Sequence, residues 1–138
     1  MKHKKLLKKL PAIILLLALL GTMFFLSGQT ATVSSVTSGR IVKLLSRLGI
    51  TVSDHIVRKC AHFTEFACLG ILTGIIFESF AALPVCALVA MGDEFHQKFV
   101  AGRGPMWSDV CLDCAGALVG IILILILYHL KKRKRKNK

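Results

Sequence analysis

Three groups of polar residues in this chain could do chemistry together: Arg58, Lys59, His62 and Glu65; Asp93, Glu94, His96 and Gln97; and Arg103, Asp109 and Asp113. The two arginines and the lysine offer fixed positive charge suited to a phosphate or carboxylate, and Arg can grip either in bidentate fashion. The imidazole and the carboxylates can take up or release a proton. Such a set is suited to holding an anionic headgroup. His62, Glu65, Asp93 and Glu94 are the candidate catalytic groups, and Arg58, Lys59, Gln97, Arg103, Asp109 and Asp113 the candidate binding groups. Metal binding by His62, Glu65, Asp93, Glu94 and Asp113 lacks an HExxH or other closed ligand pattern, so no metal is assigned and no cofactor is named.

Spacing favours convergence of these residues, because side chains three or four apart share a helix face. Arg58, His62 and Glu65 satisfy that rule, as do Asp93 and Glu94 with Gln97, and Asp109 with Asp113. Each cluster stands at the end of an apolar stretch. Ionisable groups there cost free energy unless they pair or face water, which makes a functional site the default reading. Polar residues at helix ends can also simply bind neighbouring helices together. Three clusters with both signs of charge favour a ligand site over that structural use.

The elements that must position these residues are membrane helices. Hydrophobic residues make up 54% of the 138 residues and the mean hydropathy is +0.67, too apolar for a soluble domain of this size. A helix needs about 20 apolar residues to cross the hydrocarbon core. Four stretches approach that length: Leu10–Leu26, Ala61–Phe80, Ala82–Phe99 and Asp109–Leu130. The first follows a basic start, as a signal peptide would, but Gln29-Thr30-Ala31 is a poor small-residue cleavage pattern, so a retained helix is expected. The second and third are nearly contiguous and predict a tight helical hairpin, with Pro84 in the first turn of its second helix.

The net charge of +12 resides in the tails. Twelve of the nineteen Lys and Arg lie in residues 1–9 and 131–138, while the remaining seven balance seven Asp and Glu. Basic tails beside apolar helices set topology and touch anionic headgroups, so membrane lipid is the expected partner and nucleic acid is not. The expectation is an all-α membrane protein with four transmembrane helices and both termini cytoplasmic. A basic tail (1–9) precedes the membrane domain (10–130), and a second basic tail (131–138) follows it. All three clusters then meet at the outer face. The outer connection from Gln29 to Cys60 turns amphipathic through Ile41, Val42, Leu44, Leu45 and Leu48, which predicts a short interfacial helix. Cys60, Cys68, Cys86, Cys111 and Cys114 are expected to be free, buried thiols. Gly70-x-x-x-Gly74 and Gly116-x-x-x-Gly120 permit close helix packing.

The residues Arg58-Lys59-Cys60-Ala61-His62-Phe63-Thr64-Glu65-Phe66, Asp93-Glu94-Phe95-His96-Gln97, Gly102-Arg103, Asp109 and Asp113-Cys114-Ala115-Gly116 stand in the order seen in the VanZ-like membrane proteins. The chain resembles that family from Phe25 to Gly120. The resemblance implies a multi-pass protein of the bacterial cell membrane with a role in the envelope, including lowered susceptibility to the glycopeptide antibiotic teicoplanin. Its ligand would be a lipid-linked envelope precursor or the glycopeptide itself. Whether a reaction follows binding is left open by the residues, and a non-catalytic structural or lipid-binding scaffold is the alternative.

Overall fold

In the computed structural model, which describes residues 2–136 and the side chains from Leu6 onward, five helices follow one another: α1 (Lys2–Ser27), α2 (Ala31–Arg47), α3 (Asp54–Phe77), α4 (Ala82–Gln97) and α5 (Trp107–Lys136). No strand is present among the described residues. Three stretches, Leu6–Ser27, Asp54–Phe77 and Trp107–Lys136, are long and apolar enough to cross a membrane. At 16 residues, α4 is shorter and covers about 24 Å. Leu17, Leu88 and Leu123 are each at least half exposed, and side chains like these form the apolar outer surface of the bundle.

Both tails extend the apolar helices rather than leaving them. Lys and Arg are good helix formers, so α1 begins within the basic stretch and α5 continues to Lys136. Of the tail residues, Met1, Asn137 and Lys138 and the side chains of residues 2–5 lie outside what is described. The predicted second span also begins earlier, at Asp54. There the Ser53 hydroxyl accepts from the Ile56 N–H and Asp54 places a negative charge in the first turn.

Helix α2 is longer than the short helix the sequence pattern predicts. The Ser- and Thr-rich stretch belongs to it, because these hydroxyls donate back to carbonyls one turn earlier: Ser35 to Thr32, Thr37 to Val33, and Ser38 to Ser34. Thr30 caps its start.

The core is built by close approach of α3 and α5. A Cβ on Gly70 would collide with the Ala117 carbonyl, one on Gly120 with the Ala67 carbonyl, and one on Gly116 with the Phe63 carbonyl. Both GxxxG motifs are therefore used within the chain, against one another. Phe63 meeting Gly116 and Ala67 meeting Gly120 also means that the two helices run in the same direction. Against both of them packs α4 in the opposite direction, presenting the small buried stripe Ala82, Cys86 and Ala90. The buried Thr73 hydroxyl donates to the Leu69 carbonyl and lies 3.3 Å from the Cys86 sulfur, joining α3 to α4.

The two ends of the bundle differ in chemistry. At one, Lys9 of α1 pairs with Glu78 at 2.8 Å and donates to the Ile76 carbonyl, and Glu78 borders a groove shared with the basic end of α5. At the other lie the end of α1, the beginning of α3, the end of α4 and the beginning of α5. This second end collects the polar clusters.

Candidate functional site

The glycine contacts between α3 and α5 set a register that places the first turns of the two helices side by side. Lys59 then reaches Asp109 at 2.5 Å, and His62 Nδ1 stands 3.9 Å from Asp113 Oδ1. One turn earlier on α3, Arg58 pairs with Asp54 at 3.3 Å. Ser108 also donates to Asp109, so that carboxylate is held from two sides.

The end of α4 closes the site from the third side. Gln97 donates to Asp93 at 2.8 Å, one turn apart on the same helix. Glu94, 5% exposed, turns to the following loop and accepts from the Met106 backbone N–H at 2.8 Å. That bond fixes the loop from Lys98 to Met106, and the Ala31 N–H donating to the Ala101 carbonyl fixes it again from α2. Gly102, at φ 75°, turns the chain so that Arg103 lies over the helix ends. No carboxylate lies within 4 Å of the Arg103 guanidinium among the described residues. Burial, together with the facing Arg58, holds its pKa below the ordinary arginine value, while Asp93 and Glu94 oppose that shift.

Two cavities open beneath this loop. The first, about 160 Å³, is bordered by Arg58, Lys59, His62, Arg103, Asp109 and Asp113. The second, about 120 Å³, is bordered by Arg58, His62, Glu65, Asp93 and Arg103, with Ser38 of α2 on its far wall. Arg58, His62 and Arg103 belong to both cavities and form the wall between them. Nine of the ten residues singled out from sequence spacing thus border these cavities, Gln97 included, and the tenth, Glu94, anchors their roof.

The family model VanZ/LLP1 matches residues 12–128. The chain belongs to the VanZ/LLP1 family. No curated protein and no solved structure matches it. The match contains the whole stretch from Phe25 to Gly120 that carried the resemblance, and extends it along α1 and α5. With its long apolar helices, this VanZ/LLP1 chain is a membrane protein of that family.

Other placements at this end did not follow from the spacing. His55 is in the first turn of α3 and borders the larger cavity. His96 stacks on Phe24 at 4.4 Å between centroids, and its buried Nδ1 has no hydrogen-bond partner. Ser27, 3% exposed, has a hydroxyl in the same condition. Contacts between α1 and α4 bring these groups together, and no spacing rule within one helix reports them. The thiols are also redistributed: Cys86 alone is buried, Cys114 is half-buried, and Cys60, Cys68 and Cys111 are exposed on the apolar surface.

Proposed function

We propose that this chain is a multi-pass protein of the bacterial cell membrane that captures the anionic headgroup of a lipid or lipid-linked envelope precursor at the outer leaflet, and that this lowers susceptibility to teicoplanin-type glycopeptides. The observation that carries the reading is Arg103, half-buried over both cavities with no carboxylate within 4 Å among the described residues, beside Arg58 and Lys59. A cation kept in that condition beneath a roof is suited to an incoming anion. The volumes agree: with water at about 30 Å³ in the liquid, a cavity of about 160 Å³ takes a phosphate and a few waters, not an acyl chain. The acyl chains would stay outside, along exposed Phe25, Phe95 and Phe99, with the amphipathic Trp107 ring suited to the headgroup level.

The orientation is part of the proposal. By the positive-inside rule, the end holding Lys8, Lys9 and the basic part of α5 faces the cytoplasm, so the polar cavities face out, where glycopeptides act. The path of α4 between the same two ends as α3 supports it as a fourth crossing, with bilayer thinning near the site offsetting its short length.

The test compares teicoplanin susceptibility of cells carrying equal membrane levels of the wild type, Arg103→Ala, Lys59→Ala or Asp54→Ala, with an empty-vector control. Protection by the wild type, its loss with Arg103→Ala and Lys59→Ala, and its retention with Asp54→Ala are expected. Protection that survives every substitution would favour a structural scaffold. An unprotected wild type would remove the antibiotic role from the proposal. Binding of purified protein to vesicles containing phosphatidylglycerol, against phosphatidylcholine alone, tests the headgroup part by itself.

A further inference from the structure

His62, Asp93 and Asp113 come from α3, α4 and α5, and each offers one ligand atom within 4.8 Å of those of the other two. A cation bonded at about 2.0–2.4 Å holds its ligands up to about 4–4.8 Å apart, so these three are spaced to share one ion after small side-chain adjustments. A second observation points to the same place. Asp113 is fully buried, and neither of its carboxylate oxygens has a hydrogen-bond partner. The His62 imidazole, at 3.9 Å, is beyond hydrogen-bond reach.

Nothing else around Asp113 resolves its condition. Lys59 is taken by Asp109 and Arg58 by Asp54, and Arg103, which borders the same cavity, has no carboxylate within 4 Å among the described residues. Asp93, Glu94, Asp109 and Glu65 add further negative charge around it. Protonation would remove the charge of Asp113 but leave a buried hydroxyl without an acceptor. Native proteins rarely bury a carboxylate in that state, and coordination to a metal is one of the few arrangements that relieve it.

We propose that His62, Asp93 and Asp113 form a site for one divalent cation of the Mn²⁺ or Zn²⁺ class. One imidazole and two carboxylates suit these ions: Mg²⁺ favours an all-oxygen shell, and soft ions such as Cu(I) favour sulfur. The second shell is in place, because Gln97 donates to Asp93 and fixes the direction of its other oxygen. Three protein ligands leave coordination positions open, and His62 and Asp113 border the larger cavity, so those positions are accessible from it. That an open position receives a phosphate oxygen rests on the headgroup reading. The binding of the ion does not.

The experiment uses the full chain in detergent micelles without added lipid, stripped with chelator and titrated with Mn²⁺ or Zn²⁺ alone. Saturation at one ion per chain is expected, with a thermal stabilisation that follows occupancy. Affinity should fall at least about tenfold in Asp113→Asn and in His62→Gln, while Glu78→Gln, an acid at the opposite end of the bundle, should bind as the wild type does. Pulsed EPR of the Mn²⁺-loaded wild type should show nitrogen coupling from one imidazole, a readout that does not require any variant to fold. Non-saturable binding, absence of nitrogen coupling, or equal affinity in Asp113→Asn and wild type would each overturn the site. Vesicle binding fails or succeeds separately: headgroup capture without metal binding sinks this inference alone, and metal binding without headgroup capture sinks only the functional reading.

Discussion

Glu94 shows how a residue that sequence marks as a candidate acid can serve by holding something else in place. Its carboxylate is nearly buried and is directed at the Met106 N–H, so it anchors the loop that carries Arg103 rather than facing either cavity. Glu94→Gln keeps an acceptor oxygen at that position and should leave the loop in place. Glu94→Ala removes it, at a cost of about 1 kcal/mol in stability, and should raise amide hydrogen exchange through residues 98–106 while weakening vesicle binding. Equal exchange in the two variants would mean that the carboxylate charge, not the hydrogen bond, holds the loop. At this scale the sequence singled out the polar residues that gather at one end of the bundle, because ionisable side chains beside apolar stretches are conspicuous. It left open which of them face one another. An HExxH pattern could not bring His62, Asp93 and Asp113 together, because it describes residues on one helix and these stand on three.

Helices α3 and α5 bring the site together through absent side chains. With carbonyls pressed against Gly70, Gly116 and Gly120, the helices approach closely enough for Lys59 to reach Asp109 and for His62 to stand beside Asp113. Adding a methyl group at a contact this tight costs about 1–3 kcal/mol through forced separation. Gly120→Ala should therefore lower thermal stability by an amount of that order, and Gly21→Ala, whose Cβ would meet nothing, should not. If the separation reaches the site, vesicle binding in Gly120→Ala falls along with stability. A stable, fully binding Gly120→Ala would show that the register is set elsewhere. The long apolar helices were legible because lipid demands an uninterrupted run, and the GxxxG spacing indicated close packing. The start of α2 was not, since Ser and Thr disfavour helices by propensity and are accommodated here by hydroxyl bonds to their own preceding turn.

For the whole molecule, the decisive quantity is the side of the membrane on which the cavities open. Three helices meet the length and hydropathy of a membrane span, and a crossing by α4 decides whether the two basic ends share a side. The contacts of Lys9 with Glu78 and Ile76, and the groove shared by Glu78 with the end of α5, gather the basic residues at one end of the bundle. Separating them across a bilayer would require α4 to leave its antiparallel place against α3 and α5, exposing Glu94 and undoing the loop that carries Arg103. Gly104 is in open space on that loop, so a cysteine fits there without strain, and Lys134 lies exposed near the end of α5. In a background with the five native cysteines replaced by Ser or Ala, Gly104→Cys should react with a membrane-impermeant maleimide on intact cells. Lys134→Cys should react only after permeabilisation. Reaction of both from outside would mean that α5 does not cross between Gly104 and Lys134. Reaction of Lys134→Cys alone would place Gly104 and the cavities on the cytoplasmic side, through a failure of α4 to cross or an inverted protein, away from the leaflet where a glycopeptide acts.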